Sequence, residues 1–533
     1  MFSRRELIRR MASVPVLGPI LGAGATDADV SFGHILCTSS HDAIAVTLST
    51  IVAYRELDLI VSGIRCAGEQ VDSTGYHWRF SLSGLDSDKE HVLVVQSRGV
   101  QVGDPWPLRT FPAPDSQPQS FKLLSFTCAG GGDGFGFSGR QFFKPLAFRH
   151  ALFRDALKQK PDAALAIGDH IYWDLRGQGV PQIGRKKPWL KWLIGHYLKW
   201  KFGEFDRDQP VFGNDNDNEE ILKAIGREQI AKLYGTQFRS VPMFFIGDDH
   251  DYFENDDAEK DLVTFPPDDF SKSAARAMAD LFYPPLIQAP EPQQSRMAGR
   301  LRFGRLFDGV LLDCAGGLSL GNEASLVPAS IEAWALDVLK TTEAQYTALV
   351  PSHPFGYTAG KWREWYPDVV AEVGQDVAMN EIMGDVTGQL GVSAEKYLWQ
   401  SGWWDQHQRF IQAMSDLRGY RLVISGDIHA LGAVEIISSG DIDLEDRPLM
   451  SVLSGPVSTS DATWPSAARG VGASTPAWMS VRELAPAREV NGFTIFTFGE
   501  DGAQMQLFDC GGFDRTLGEA GGVQSFITIE LTS

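Results

Sequence analysis

The stretch VPMFFIGDDHD, residues 241–251, decides the fold. Its first half is a short apolar run typical of a buried strand, and the run ends in a glycine followed by three aspartates and a histidine. In α/β proteins, the loops that follow strands usually carry the functional groups. The stretch therefore predicts an α/β fold with a polar site at the carboxyl edge of a sheet.

The same arrangement recurs elsewhere in the chain. Apolar runs end in polar residues in FKLLSFTC (121–128), AALAIGDHIY (163–172), YTALVPSH (346–353) and YRLVISGDIH (420–429). Carboxylate oxygens and imidazole nitrogens gathered at one sheet edge suit hard or borderline metal ions. Two such ions can clamp the attacking and leaving oxygens of a phosphoryl transfer. The recurrence predicts a metal site, although any one of these strand ends alone is common.

Four of these motifs, in this order, resemble the signature of calcineurin-like metallophosphoesterases, and most closely the alkaline phosphatase D (PhoD-like) family. The matching segments are Ser125-Phe126-Thr127-Cys128, Gly168-Asp169-His170-Ile171-Tyr172, Asp248-Asp249-His250-Asp251 and Gly426-Asp427-Ile428-His429. The resemblance spans nearly the whole chain. It implies an α/β fold in which a β-sandwich is flanked by helices (αββα), preceded by a small all-β domain similar to immunoglobulin or fibronectin sandwiches.

The resemblance also implies a binuclear or larger metal site, holding iron plus calcium, although other divalent metals are possible. The implied ligands are Cys128, Asp169, Tyr172, Asp249, Asp427 and His429. In the family's pattern, Cys128 and Tyr172 ligate iron and Asp169 bridges to the second metal. From the residues alone, Cys128 as a structural thiol and Tyr172 as a core aromatic stay open.

The resemblance gives His250 a catalytic role. It aligns with a histidine that contacts the substrate phosphate, where it would stabilise developing charge or protonate the leaving group. Asp248 would orient the neighbouring ligand or bind a metal itself, and simple helix capping is the alternative.

Two departures from the family's pattern bear on substrate and metal choice. His353 follows the run YTALVP and is either a further metal ligand or a structural loop histidine. After Asp313 the family often places an arginine, whereas this chain reads Cys314-Ala315-Gly316-Gly317. We therefore expect a phosphate-contacting cation to be missing at that position.

The length of the chain bears on its number of domains, and its net charge bears on the class of its binding partner. At 533 residues the chain exceeds the usual size of one core, so two domains are expected. The net charge of −20 argues against a nucleic-acid-binding surface, which needs a basic footprint. It leaves small phosphorylated substrates open, because one cationic metal pocket can outweigh a distant acidic surface.

The sequence divides into three parts. Residues 1–25 resemble a twin-arginine signal peptide, with Ser3-Arg4-Arg5 followed by a short apolar stretch, and a frayed basic terminus is the alternative. Residues 30–115 have the strand patterns Ala43–Leu48 and His91–Val95 and predict the small β-sandwich domain. Prolines crowd between residues 105 and 118 and predict a linker. Residues 120–533 form the expected catalytic domain.

Export through the twin-arginine machinery would place the protein in the periplasm, at the cell surface or outside the cell. Of the five cysteines, Cys37 and Cys66 fall in one expected domain, and their pairing stays open. The segment 185–202 mixes lysines with tryptophans at helical spacing. It predicts either peripheral membrane contact or a packed lid helix with lysines reaching to solvent.

Together these features predict an exported metal-dependent phosphoric ester hydrolase, similar to alkaline phosphatase D, that cleaves phosphate mono- or diesters with metal-activated water. The partner would be a phosphate-ester small molecule or a lipid or wall phosphodiester. One alternative is a phospholipase-type phosphodiesterase acting on membrane or wall phosphodiesters. The other is a non-catalytic exported binding protein with structural metals, which turnover would exclude.

Overall fold

A computed structural model describes most of the chain. The described residues are 31–134, 136–137, 140–141, 143–172, 200–213, 216–252, 258–259, 262–263, 266–290, 297–320, 324–359, 401–459, 471–473, 478–510 and 523–531. The expected signal peptide and most of the segment 185–202 lie outside them. None of the described helices is long and apolar enough to cross a membrane.

The first part of the chain is all-β. Its strands are β1 (Phe32–Ser39), β2 (Ala43–Thr50), β3 (Asp58–Val61), β4 (Ile64–Ala67), β5 (Glu69–Gln70), β6 (His77–Ser83), β7 (Glu90–Ser97) and β8 (Val100–Arg109). They form two antiparallel sheets in the orders β1-β2-β6-β5 and β4-β3-β7-β8. Val46, Phe80 and Trp106 belong to the buried core that both sheets share. The two strand patterns predicted in this part are confirmed by β2 and β7.

The prediction of a linker across all the crowded prolines was wrong for the first two. Pro105 and Pro107 lie within β8, where Pro107 pairs with Val92 of β7. Strand β8 is at the edge of its sheet and pairs with one neighbour, so its outer side has no hydrogen-bond ladder that a proline could interrupt. The connection to the second part therefore begins only after Arg109.

The second part is mixed α/β. Its strands are β9 (Ser120–Thr127), β10 (Gly136–Phe137), β11 (Arg140–Gln141), β12 (Ala163–Ile167), β13 (Met243–Ile246), β14 (Ala258–Glu259), β15 (Leu262–Val263), β16 (Gly299–Phe303), β17 (Phe307–Leu312), β18 (Tyr346–Pro351), β19 (Thr358–Ala359), β20 (Tyr420–Ser425), β21 (Leu431–Ser439), β22 (Ile442–Asp443), β23 (Leu449–Ser454), β24 (Val471–Gly472), β25 (Met479–Arg488), β26 (Gly492–Gly499), β27 (Ala503–Asp509) and β28 (Gln524–Leu531).

The helices of this part are short to medium in length. They are α1 (Leu146–Lys158), α2 (Asn218–Gly226), α3 (Lys232–Tyr234), α4 (Asp249–Tyr252), α5 (Asp269–Phe282), α6 (Ala329–Thr341) and α7 (Ser401–Ser415), and a π-helical turn, Arg227–Ala231, joins α2 to α3. Helix α1 begins directly after Pro145, because a proline disfavours helical geometry in the residue before it.

Two large sheets pack face to face. One has the order β13-β12-β9-β26-β27-β28, and the other has β16-β17-β18-β20-β23-β21-β22, with β25 paired to β21. Phe121 and Leu165 of the first sheet share a buried cluster with Val350 and Leu422 of the second. The larger hydrophobic cluster joins residues of α1, α5, α6 and α7 to the sheets. The expected α/β architecture, with helices flanking a β-sandwich, is confirmed.

Side chains of the first part cap the carboxyl end of α5. Arg79 donates a hydrogen bond to the carbonyl of Asp280, and Thr47 donates one to the carbonyl of Tyr283. The ring nitrogens of His77 and His34 lie 3.1 Å and 3.2 Å from the carbonyl oxygens of Leu281 and Phe282. Helix ends leave such carbonyls without intrahelical partners, so these contacts stabilise the junction.

The cysteine pairing considered from the sequence is not formed. Cys37 lies on β1 and Cys66 on β4, and both are free thiols, as are the other three cysteines.

Candidate metal centre

The candidate ligands come from the carboxyl ends of neighbouring strands. Cys128, Asp169 and Asp248 directly follow or lie within two residues of β9, β12 and β13, which are adjacent and parallel in one sheet. His353 and Asp427 follow β18 and β20 of the facing sheet in the same way. Because the carboxyl ends of parallel strands share one edge, two distant parts of the sequence supply a single buried cluster.

One group of possible ligands contains Cys128, Asp169 and His429, whose donor atoms lie within 4.8 Å of one another. The thiol sulfur of Cys128 lies 3.3 Å from Asp169 Oδ2, and His429 Nε2 lies 3.8 Å from the same oxygen. The phenol of Tyr172 donates a hydrogen bond of 2.7 Å to Asp169 Oδ2, and its oxygen is 3.3 Å from His429 Nε2. Tyr172 is therefore within reach of the same ligand set.

A second group consists of Asp169, Asp249 and His250, again with donor atoms within 4.8 Å. Asp169 belongs to both groups, which is the position that a bridging carboxylate occupies. The ring of His250 lies against that of Tyr172, with centroids 4.3 Å apart. By position His250 is itself a possible ligand, and its non-ligand role stays a prediction.

A third group contains Asp248, His353 and Asp427, all buried. His353 Nδ1 lies 3.4 Å from Asp248 Oδ1. The structure thus places His353 beside the acidic residues. Among the described residues the Asp248 side chain caps no helix, and its backbone carbonyl accepts a hydrogen bond from the N–H of Asp251.

Backbone strain concentrates at this cluster. Cys128, Asp169, Asp427 and His429 have φ angles of 49°, 56°, 65° and 54°. The left-handed region is uncommon for residues other than glycine, and such strain tends to occur at functional sites. Before Asp169, Gly168 also has a positive φ, and a Cβ atom there would lie 2.4 Å from Asp248 Cβ. Only glycine lets the two acidic loops approach this closely.

Burial and mutual repulsion disfavour the ionised form of the acidic groups. Burial raises the pKa of both Asp169 and Asp248 well above the usual range, and neighbouring carboxylates raise it further, chiefly Asp249 for Asp169 and Asp427 for Asp248. Burial, and then the charge of Asp169, likewise raise the pKa of Cys128 and Tyr172. A cation in the cluster would instead lower the pKa of each of these groups.

The donors fit metal ions. Among the described residues, Asp169 Oδ1 and both carboxylate oxygens of Asp248 are buried without a hydrogen-bond partner. Buried polar atoms normally have partners, and acidic oxygens left open beside imidazole and thiol groups are the usual surroundings of a metal. Burial also lowers the pKa of His353 well below its usual range, which keeps the ring in the neutral form that ligates metals.

Asp251 was quoted in its motif but given no role by the sequence. Its two carboxylate oxygens accept four backbone hydrogen bonds of 2.9–3.1 Å, from the N–H groups of Asp169, His170, Ile171 and Asp248. One buried carboxylate therefore fixes two of the ligand loops. Its position as the last residue of the Asp-Asp-His-Asp motif was the signal for it.

Gln229, in the π-helical turn, was missed altogether. Its side-chain oxygen accepts hydrogen bonds from the N–H groups of Gly131 and Tyr172, and its amide donates to the carbonyl of Tyr172. Arg149 of α1 holds the same Gly-rich loop by donating to the carbonyls of residues 129–132. π-Helical turns are often found near functional sites, but no local sequence pattern marks this one.

No protein-family model and no curated protein matches this sequence. Among solved structures, PhoD is similar with a TM-score of 0.56 and 12% identity, over 95% of this chain and 91% of PhoD. The purple acid phosphatase PPD1 from yellow lupin (Lupinus luteus) seeds is similar with a TM-score of 0.52 and 11% identity, over 95% of this chain and 74% of the lupin protein.

The chain has a PhoD-like fold. At these identities the likeness concerns the fold, and the clustered carboxylate, imidazole and thiol groups indicate independently that the fold carries a metal site.

Proposed function

We propose that this protein is a metal-dependent phosphoesterase that hydrolyses phosphate mono- or diesters. One observation carries the proposal: Asp169 belongs to two overlapping groups of possible ligands, one with Cys128 and His429 and the other with Asp249 and His250. A carboxylate shared in this way suits two neighbouring cations. Two neighbouring cations are the arrangement that phosphoryl transfer uses.

The residues would divide into two metal positions. Cys128, Tyr172 and His429 offer a thiolate, a phenolate and an imidazole beside Asp169, a donor set that suits iron. Asp248, Asp249, His353 and Asp427 offer mainly oxygen, which suits calcium or another divalent ion. When bound, the ions would supply an activated water and charge neutralisation for the phosphoryl group.

The protein's own groups would do the rest of the work. The ring of His250 packs against Tyr172, beside the possible ligands, and the residue is buried. From there its imidazole would hydrogen-bond the phosphate and give a proton to the leaving oxygen. Asp251 and Gln229 would keep the loops of Asp169 and Tyr172 fixed while charge develops, so that little reorganisation is needed during the reaction.

The place of action belongs to the same proposal. The twin-arginine-like pattern in residues 1–25 supports export to the periplasm, the cell surface or the medium. The partners would then be the export machinery and a phosphate-ester small molecule or a lipid or wall phosphodiester, with residues 185–202 available for membrane contact. The net charge of −20 supports the absence of a nucleic-acid-binding surface.

The test is turnover of nitrophenyl phosphate, bis-nitrophenyl phosphate and a short-chain phospholipid by protein purified without chelators. Release of nitrophenol that is lost on chelation and restored by added metal supports the proposal. Cleavage of the phospholipid alone would narrow it to the phospholipase-type reaction. Tightly bound metal without turnover of any of the three would leave a non-catalytic metalloprotein and overturn the proposal.

Metal identity has its own measurement. Elemental analysis and the visible spectrum are compared between the natural protein and Tyr172→Phe, because a phenolate on ferric iron absorbs visible light. A colourless, iron-free but active protein would refute the assignment of iron to Cys128 and Tyr172 and leave the phosphoesterase proposal standing.

A further inference from the structure

A second cavity lies beside the candidate metal centre and shares none of its possible ligands. It has a volume of about 270 Å³ and is bounded by α5, the end of α4, the loop after β17 and the start of α6. Its lining includes Tyr252, Lys272, Arg276 and Asp313. Tyr252 is the last residue of α4, whose first residue is Asp249, so about one helical turn separates the cavity from the metal centre.

Two basic side chains of the cavity, Lys272 and Arg276, have no acidic partner among the described residues. Lys272 and Arg276 are four residues apart on α5, so they project from the same face of the helix. Within the described part of the chain, neither side chain makes an ion pair or a hydrogen bond. Lys272 is half-buried and Arg276 is exposed, which leaves both heads accessible to a ligand from solvent.

Among the described lining residues the acidic group is Asp313, and its carboxylate oxygens already accept hydrogen bonds within the protein. The hydroxyl of Tyr252 donates to Asp313 Oδ2, and the N–H groups of Ala315 and Gly316 donate to Asp313 Oδ1 at 3.1 Å and 2.8 Å. Two positive side chains and one negative side chain give the lining a net charge of +1. The cavity is thus a small cationic pocket in a chain whose net charge is −20.

The loop that forms one wall packs closely against Tyr252 and Pro328. A Cβ atom on Gly316 would lie 2.5 Å from the Tyr252 hydroxyl, and one on Gly317 would lie 2.3 Å from Pro328. A larger residue at either position would therefore require its neighbours to move. The remaining lining is apolar: Met297, Ala298, Pro328 and Ile331. Apolar walls around a few charged groups are typical of small-molecule pockets.

We propose that this cavity binds the oxyanion of a small phosphorylated molecule, with Lys272 and Arg276 as the anion-binding side chains. A guanidinium can hold two oxygens of a phosphate at once, and an ammonium adds a point charge beside it. The apolar wall accepts the carbon part of such a molecule. The pocket differs from the candidate metal centre in its residues and its chemistry, and the inference does not need the proposed hydrolysis to be correct.

Calorimetric titration of the full chain with inorganic phosphate tests the inference. A parallel titration with acetate tests whether a carboxylate binds as well. The variants are Lys272→Gln/Arg276→Gln, Lys340→Gln as a matched surface control on α6, and Asp169→Asn to impair the metal centre. We expect the double variant to weaken phosphate binding by about tenfold or more, the value of one charge-assisted hydrogen bond. Binding should persist in Lys340→Gln and in Asp169→Asn, and metal content should be unchanged in the double variant.

Chemical labelling gives a second readout that needs no variant. Acetylation of Lys272 should slow when phosphate is present, whereas acetylation of the exposed Lys340 should not. Protection by phosphate and not by acetate fixes the ligand as a phosphate, and protection by both widens it to oxyanions in general. Equal labelling with and without phosphate, or phosphate binding abolished by Asp169→Asn and untouched by the double variant, overturns the inference. Neither result bears on turnover of phosphate esters, so the two proposals fail separately.

Discussion

The phenol oxygen of Tyr172 lies 2.7 Å from Asp169 Oδ2, although burial and the charge of Asp169 both raise the pKa of that phenol. Without a cation, the proton stays on the phenol and the hydrogen bond holds the two groups together. A cation at this point would favour the ionised form of both groups. The pair is therefore where metal binding changes protonation most directly.

Replacing Asp169 should reduce metal binding and activity more than replacing any other residue of the site. We predict that Asp169→Asn loses bound metal and nearly all activity but still folds, because the amide keeps the shape of the side chain and loses the charge that two cations would share. Metal analysis and circular dichroism check this. Asp162→Asn, which lies just before the opposite end of the same strand, is the control and should keep its metal. Retention of both metals in Asp169→Asn would show that the residue is not a bridge.

Gln229 should affect metal binding without touching the metal. Gln229→Ala removes three hydrogen bonds to Gly131 and Tyr172, so the loops after Cys128 and around Tyr172 lose a common support. We expect metal affinity to fall by about 10- to 100-fold, as for other supporting residues, and the free energy of unfolding to fall by about 1–3 kcal/mol.

The matched control for this change is Gln237→Ala, which removes one local hydrogen bond to Leu233. It should lower stability slightly and leave metal affinity unchanged. If both variants lose the same small amount of stability and bind metal equally well, Gln229 has only a general structural role.

The junction between the two parts of the chain should be sensitive to acid. Burial lowers the pKa of His34 to about 3 and that of His77 to about 4, from a usual value near 6.5. Below pH 6.5 the unfolded chain takes up protons at these rings while the folded chain does not, so stability is present above that pH and is lost as the pH falls. Between pH 7 and pH 5 the loss should be about 2 kcal/mol for each ring.

Urea unfolding at pH 7 and pH 5 measures this effect. His34→Gln/His77→Gln should be less stable than the natural protein at pH 7 but lose less stability on acidification. His41→Gln, at a half-exposed surface position, is the control for replacing a histidine. Parallel pH curves for the natural protein and the double variant would contradict the assignment of the effect to these two rings.

The sequence was most informative where the chemistry follows a strand directly. The strands ending at Ile167, Ile246 and Ser425 are short apolar runs, so their ends and the acidic residues after them could be predicted. The β-sandwich was implied only by the resemblance, and the order of the strands within each sheet was not predicted, since periodicity does not encode strand neighbours.

Contacts between distant segments could not be predicted. Gln229 meets Gly131 across 98 positions and Tyr172 across 57, and a glutamine in a helical segment looks the same whether it faces solvent or a loop. The linker prediction was wrong at Pro107 for a related reason. A proline is compatible with a strand at the edge of a sheet, and whether a strand lies at the edge depends on the assembled sheet.

The last prediction separates catalysis from metal binding. His250 lies against Tyr172 and near Asp169. We predict that His250→Ala folds and keeps its metals while kcat falls by about 10² to 10⁴, the usual value of a positioned acid. The loss should shrink for nitrophenyl esters compared with alkyl phosphates, because a good leaving group needs less protonation. His150→Ala, on the surface of α1, is the control and should keep full activity. Loss of a metal from His250→Ala would make His250 a ligand, and unchanged kcat would move the acid to another residue, with His353 or His170 to be replaced next.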